Sequence, residues 1–122
     1  MTPGRGVRET FSRDDRLRKR REFEECYASG VRASGRHLQV FVLPAAGATR
    51  LGLSVPRRVG NSPTRNRIRR RLREIFRRHR ALIPRPVSMV VNARPSGAGA
   101  SFPELLEDYK KTLARALSNL RP

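Results

Sequence analysis

The densest chemical feature of this sequence is a run of arginines between residues 65 and 80, in which Glu74 is the only acid. Arginine carries a planar fork of five N–H donors that suits bidentate contact with phosphate. Like charges four residues apart on a helix, such as Arg65/Arg69 and Arg69/Arg73, each disfavour the helix by roughly 0.2–0.5 kcal/mol. A protein without an anionic partner would gain from mixing in acids, so the pattern favours a polyanion-binding face over a merely solvated one.

The arginine run is predicted to lie on an amphipathic helix. Asn61-Ser62-Pro63-Thr64 is typical of a helix start, with Ser62 as the N-cap. An apolar stripe follows at helical spacing, formed by Ile68, Leu72, Ile75 and Phe76. We expect the helix to reach about Arg80 and to stop before Pro84.

The first turn of this helix holds Arg65, Asn66 and Arg67. Backbone N–H groups are unpaired there and the helix dipole is positive, so these side chains can converge with N–H donors on one phosphate. Arg57 and Arg58 leave a predicted strand towards the same end of the domain. These residue types predict a phosphate-binding site and do not distinguish RNA from DNA.

The groups that could cleave a nucleic acid are few and scattered. A protein ribonuclease usually needs a histidine pair, or carboxylates clustered around a metal. His37 and His79 are far apart in sequence, and His79 falls on the apolar stripe. The acidic pairs Asp14-Asp15 and Glu107-Asp108 fit the electrostatics of helix starts. Cys26 has an apolar helical face around it and is expected to be inert, so we predict no catalytic and no metal-binding residues.

Composition limits the chain to one compact domain with a polyanionic partner. Its 122 residues include 28 Lys+Arg and 10 Asp+Glu, for a formal net charge of +18. A preference for arginine codons would explain the excess of arginine over lysine equally well. No apolar run approaches the roughly 20 residues of a membrane span. There is no secretory signal, and one cysteine cannot form an internal disulfide. A cytoplasmic protein is therefore expected.

The order of elements predicts an α+β domain. Residues 1–10 are expected to be a flexible basic tail and 11–122 the domain. A first helix carries Phe23, Cys26 and Tyr27 on one face and ends at Gly30, whose freedom in the left-handed region suits a helix end. Further segments are predicted in the order strand His37–Pro44, strand Leu51–Val55, the arginine helix, strand Val87–Asn92, and a helix from Ser101 with Glu104 in a capping box. The result is α-β-β-α-β-α, with helices packed on a small sheet.

Two local expectations follow from this order. The first two strands, joined by a short loop, are predicted to form an antiparallel hairpin. In the strand His37–Pro44, the side chains of Leu38, Val40 and Val42 should point to one face, and those of Gln39, Phe41 and Leu43 to the other.

The quoted segments resemble the bacterial ribonuclease P protein family. Arg65-Asn66-Arg67-Ile68-Arg69-Arg70 is similar to that family's RNR signature, preceded by Leu51-Gly52-Leu53-Ser54-Val55 and Gly60-Asn61. The lead-in from Arg16 through Phe23 and Tyr27 to Gly30 also matches, as does Val90-Val91-Asn92-Ala93-Arg94-Pro95. The similarity runs in order from about Arg16 to Leu117.

The resemblance implies a specific activity. In that family an RNA subunit removes the 5′ leader of precursor tRNA by metal-assisted hydrolysis, with Mg²⁺ held mainly by the RNA. The protein binds this catalytic RNA and the leader, and it has neither a membrane nor a small molecule as partner. Carried over, contacts with the RNA subunit fall on Arg65, Asn66, Arg67, Arg69, Arg70 and Arg73. The leader would contact Phe23, Tyr27, Phe41, Arg57 and Arg58. The family fold also implies a mixed sheet with a left-handed β-α-β crossover, against the usual right-handed preference.

Three alternatives remain beside this implication. A ribosomal or ribosome-assembly protein shares the size and charge. A DNA-binding module is the second alternative, but the arginines surround the helix too broadly for major-groove reading by a few side chains. Phe23 and Tyr27 also have a purely structural interpretation, as residues that pack the first helix on the sheet.

Overall fold

The computed structural model describes residues 15–120. Three α-helices, α1 (Arg20–Ser29), α2 (Ser62–Arg78) and α3 (Phe102–Ser118), accompany four strands. The strands are β1 (Val31–Ser34), β2 (Leu38–Pro44), β3 (Arg50–Ser54) and β4 (Val87–Ala93). The predicted α+β class is confirmed, and β1 is a strand that the sequence analysis missed. The predicted tail, residues 1–10, lies outside the described residues.

The sheet is mixed and has the order β1-β2-β4-β3. β4 pairs antiparallel with β2 and parallel with β3, so α2 lies within a β-α-β crossover. The predicted hairpin between β2 and β3 is wrong, because β4 lies between them. β4 is buried on both faces, through Met89 and Val91 on one and Val90 on the other, and a central position satisfies both. The left hand of the crossover stays a prediction.

The inner face of the sheet forms the main core. Leu38, Val40 and Val42 are fully buried on that face, as the alternation of β2 predicted. The stripe of α2 is confirmed, since Ile68, Leu72, Ile75 and Phe76 are all buried in the same cluster. α3 adds Leu105, Tyr109, Leu113 and Ala116. Burying one stripe leaves the rest of the α2 circumference to its arginines.

The outer face of the sheet is covered in part by α1. Cys26 of α1, Leu17, Phe41 and Val90 form a second buried cluster, against which Phe23 packs. Gly52 of β3 makes this possible: a Cβ there would lie 2.7 Å from Cζ of Phe23. Only glycine lets the Phe23 ring rest this close to the strand.

The helix ends depart from the sequence predictions in detail. Asn61, not Ser62, is the N-cap of α2, and its Oδ1 accepts from the Thr64 N–H at 3.0 Å. Gly30 does follow α1, but its φ of −78° is ordinary. Glycine is needed because a Cβ would lie 2.5 Å from the Cys26 carbonyl oxygen. The capping box of Ser101 and Glu104 on α3 is confirmed.

Asp15 and Asp108, one residue of each predicted acidic pair, do not serve helix starts. Asp15 is 1% exposed and its Oδ2 lies 3.0 Å from Nη2 of Arg80, well before α1 begins. Asp108 accepts the backbone N–H groups of the turn between β1 and β2, at 3.0, 2.9 and 3.0 Å from Arg36, His37 and Leu38. Asp14 lies outside the described residues.

Candidate nucleic-acid interface

The arginines of α2 divide into two groups by their contacts within the protein. Arg67 Nη2 donates to the Ala98 carbonyl oxygen at 3.1 Å, and Arg71 Nη1 donates to that of Ala100 at 3.2 Å. Both therefore tie α2 to the segment that leads into α3. Arg65 holds the loop before its own helix, donating from Nε to the Gly60 carbonyl oxygen at 3.1 Å.

The second group lies on the side of α2 that faces the N-terminal segment. Arg69, Arg70 and Arg73 form no ion pair with any acidic residue between 15 and 120. Glu74 pairs instead with Arg77 and Arg78, at 2.6 and 2.5 Å. Burial, followed by the charges of Arg16 and Arg69, lowers the pKa of the Arg73 guanidinium. This side of the helix is a crowded set of cations that an anion would stabilise.

The predicted aromatic residues Phe23, Tyr27 and Phe41 do not form one continuous surface. Tyr27 and Phe41 meet edge to face, with ring centroids 4.9 Å apart. Tyr27 is 41% exposed, whereas Phe41 is 8% exposed and lies on the outer face as predicted. Phe23 lines a cavity of about 110 Å³ together with Arg69 and Arg73. Phe23 therefore borders the cationic side of α2, and Tyr27 borders the open part of the sheet.

Arg57 and Arg58 lie in a short 3₁₀ turn, Arg57–Val59, that follows β3, and both are exposed. Arg58 lines a pocket of about 220 Å³ on the open part of the outer face. The other polar side chains around it are Gln39, Ser54, Asn92 and Arg94. Sequence reasoning placed Gln39 on the same face as Phe41, but it missed these four as site residues because they meet only after β4 inserts beside β2 and β3.

The structure thus contains a cationic helix and a separate groove lined by polar and aromatic residues. Comparison with known proteins shows the family to which a chain with these two surfaces belongs. The sequence model of the Ribonuclease P family matches residues 11–117. The chain belongs to the ribonuclease P protein family. The ribonuclease P protein component of Desulfovibrio desulfuricans is 38% identical over 109 residues, covering 87% of this chain and 80% of the relative. That of Acidothermus cellulolyticus is 38% identical over 103 residues, covering 82% and 86%.

Solved ribonuclease P proteins share the fold. The Staphylococcus aureus protein superposes with a TM-score of 0.78 at 27% identity, covering 84% of this chain and 94% of the other. The Thermotoga maritima protein gives a TM-score of 0.72 at 28% identity, covering 88% and 98%. The mixed sheet with three helices is therefore the fold of this ribonuclease P family.

In this ribonuclease P family member, Cys26 and the two histidines are engaged in contacts within the fold. Burial raises the pKa of the Cys26 thiol to about 11, and its Sγ faces the Ser88 carbonyl oxygen at 3.7 Å. His37 Nδ1 lies 2.9 Å from Ser96 Oγ, and His79 Nδ1 donates to the Ile75 carbonyl oxygen at 2.9 Å. Within residues 15–120, no three His, Cys, Asp or Glu side chains converge as metal ligands. Over the same residues, no helix is long and apolar enough to cross a bilayer.

Proposed function

We propose that this chain is the protein subunit of ribonuclease P, which binds the catalytic RNA and the 5′ leader of precursor tRNA and so promotes 5′ maturation of tRNA. The observation that carries the proposal is the family match across residues 11–117. The two surfaces described above support a division of labour between enzyme RNA and substrate.

The RNA subunit is assigned to α2, through Arg65, Asn66, Arg67, Arg69, Arg70 and Arg73. Arg69, Arg70 and Arg73 carry positive charges that no acid of the described chain neutralises, and phosphates would supply the missing countercharge. Arg65 and Arg67 already donate to backbone oxygens, but a guanidinium has five donors and each uses only a part of them. These two residues therefore hold the helix in place and can still contact RNA.

The leader is assigned to the outer face of the sheet, through Tyr27, Phe41 and Arg58, with Phe23 and Arg57 at its margins. An exposed tyrosine ring offers a stacking surface to any base, and arginines follow the backbone. Phe41 contributes mainly by supporting the Tyr27 ring, because it is almost entirely covered. Such a groove tolerates many leader sequences.

The protein's own side chains do not fit a resident Mg²⁺, since no three His, Cys, Asp or Glu side chains converge within residues 15–120. Asp108 is engaged with backbone N–H groups, and Asp15 and Glu74 with arginines. Mg²⁺ bound to the catalytic RNA would supply the activated water and charge stabilisation for hydrolysis. The protein's part is to neutralise phosphates, which lowers the Mg²⁺ concentration that the RNA needs, and to hold the leader. A cytoplasmic location goes with this role.

Reconstitution tests the proposal. The purified protein is mixed with a bacterial ribonuclease P RNA and a precursor tRNA at low Mg²⁺, and 5′ maturation is timed against the RNA alone. We expect faster maturation with the protein and no cleavage by the protein without the RNA. Maturation no faster than with RNA alone would sink the proposal. Co-sedimentation of the protein with ribosomal particles would instead favour the ribosomal alternative.

A further inference from the structure

We propose that the buried ion pair between Asp15 and Arg80 holds Arg16 beside α2, where its guanidinium completes a pocket for one phosphate of the RNA subunit. Arg16 is then a further RNA contact, and Asp15 and Arg80 are positioning residues that act through it. The inference rests on the proposed function, because it extends the RNA-binding surface of α2 to the segment before α1. The family resemblance assigns no binding role to any of these three residues.

The pocket is formed jointly by Arg16 and by the cationic side of α2. It has a volume of about 320 Å³ and is lined by Arg16, Arg70, Arg73, Glu74 and Arg77. Four guanidinium groups therefore share the pocket with a single carboxylate, and that carboxylate is already engaged by Arg77 and Arg78. The excess of positive charge and the many N–H donors suit a phosphate.

Arg16 belongs to this pocket although it lies far from α2 in the sequence. Its side chain is exposed, and it also lines the 110 Å³ cavity beside Phe23. Its positive charge contributes to the lowered pKa of the Arg73 guanidinium, after the larger effect of burial. Like charges held this close repel each other, so the fold must keep Arg16 in place and a bound phosphate would relieve the repulsion.

Backbone contacts fasten the chain from Arg16 onward to the edge of β3. Arg16 forms a parallel bridge with Leu51, and the Leu17 N–H donates to the Leu51 carbonyl oxygen at 2.9 Å. Arg50 Nη2 donates to the Arg16 carbonyl oxygen at 3.1 Å. These contacts fix the backbone on the C-terminal side of Arg16.

Asp15 fastens the other side of Arg16, to the turn that follows α2. Its carboxylate is 1% exposed, and Oδ2 lies 3.0 Å from Nη2 of Arg80, whose side chain is 17% exposed. The Arg80 guanidinium also lies over the Phe76 ring, with Cζ 4.7 Å from the ring centroid. Salt screens a buried pair of this kind only weakly, and removing one partner leaves the other charge uncompensated. The pair therefore keeps the next residue, Arg16, against α2 at salt concentrations that weaken surface contacts.

The test is a titration of labelled ribonuclease P RNA with the purified protein across KCl concentrations at constant Mg²⁺. Arg16→Ala should weaken the affinity about tenfold, as expected for the loss of one charged hydrogen-bonding group. It should also make the slope of log affinity against log salt shallower by about 1. Asp15→Asn should have the same two effects. The direction is informative, because removing an acid from a cationic protein would by itself strengthen its attraction to RNA.

Glu24→Gln is the matched control for Asp15→Asn. It removes the same charge, but Glu24 is exposed on α1 and pairs with Arg20, at 3.1 Å. Its affinity for the RNA should equal or exceed that of the unchanged protein. The double variant of Arg16→Ala and Asp15→Asn should bind no more weakly than Arg16→Ala alone, because Asp15 acts through Arg16. Circular dichroism verifies that each variant folds; if Asp15→Asn does not, Arg80→Lys, which keeps the net charge, takes its place.

The outcomes separate this inference from the proposed function. Unchanged affinity and slope for Arg16→Ala would overturn the pocket. Unchanged or tighter binding by Asp15→Asn, a lower unfolding midpoint without a change in slope, or a further loss in the double variant would overturn the positioning role. Each of these results leaves the proposed function intact if the protein still accelerates maturation. Absence of both RNA binding and acceleration would overturn the proposed function as well.

Discussion

At the scale of single residues, arginines that are equivalent in the sequence pattern of α2 have different roles in the fold. Arg67 and Arg71 donate to the backbone oxygens of residues 98 and 100. Arg70 is exposed and makes no such contact with a described residue. Residue type and helical spacing predicted a single polyanion-binding face for the whole run, and the family resemblance assigned RNA contacts to Arg67 and Arg70 but not to Arg71. The structural role of two could not be predicted, because it depends on a loop about thirty residues away along the chain.

Arg67→Ala and Arg70→Ala should therefore have different effects on the stability of the protein, while both should weaken its binding to ribonuclease P RNA. Arg67→Ala removes a hydrogen bond from a charged donor and should lower the free energy of unfolding by about 1 kcal/mol. Arg70→Ala should leave it within about 0.5 kcal/mol. Urea unfolding monitored by circular dichroism measures the free energy of unfolding, and titration of labelled ribonuclease P RNA measures the binding affinity. Unchanged RNA affinity for Arg70→Ala would remove it from the proposed interface.

At the scale of elements, one carboxylate joins α3 to the sheet. Asp108 accepts three consecutive N–H groups in the turn between β1 and β2, and Gly35 in that turn leaves room for the carboxylate. Arg115 adds a hydrogen bond from the same helix to the Ser34 carbonyl oxygen. β1 has little apolar surface of its own, so these polar contacts help to hold it at the edge of the sheet.

Asp108→Asn should loosen this connection. The amide replaces one acceptor oxygen by a donor that faces N–H groups, so the free energy of unfolding should fall by about 2 kcal/mol. Glu107→Gln is the matched control: Glu107 is exposed and pairs only with Lys111, at 3.3 Å. Thermal unfolding of both variants measures the difference. Equal thermal unfolding midpoints for Asp108→Asn and Glu107→Gln would contradict a stabilising role for the Asp108 hydrogen bonds.

The helices and strands themselves could largely be predicted from the sequence, but the pairing of the strands could not. Periodicity placed α2, β2 and β4 because each buries a regular set of apolar residues. β1 escaped because only Ala33 of its four residues is buried. The pairing of β2 with β3 was wrong because a short loop favours a hairpin, whereas the buried faces of β4 decide the actual order. Phe23 and Tyr27 were placed on one helical face correctly, but only the structure shows that Phe23 lines a cavity with Arg69 and Arg73 whereas the Tyr27 hydroxyl donates to Asn92.

At the scale of the whole molecule, a formal net charge of +18 makes RNA affinity a function of salt. If about five arginines of α2 each displace a counterion, the slope of log affinity against log salt should be about −4. Titration of the ribonuclease P RNA across KCl concentrations at constant Mg²⁺ measures it. Arg70→Ala should make the slope shallower by about 1. A flat response would argue against phosphate neutralisation.

The strand order also determines at what point during synthesis the chain can fold. β1 and β2 can pair once the chain up to residue 44 is available, but β3, apart from a single bridge to Arg16, has no neighbouring strand until β4, residues 87–93, is complete. The stripe of α2 likewise lacks the central strand on which it packs. Loop closure across α2 must therefore precede most of the favourable contacts, which slows folding and makes it cooperative. The arginines are therefore synthesised well before the helix that carries them and the groove can be packed, so both surfaces become functional in one late step.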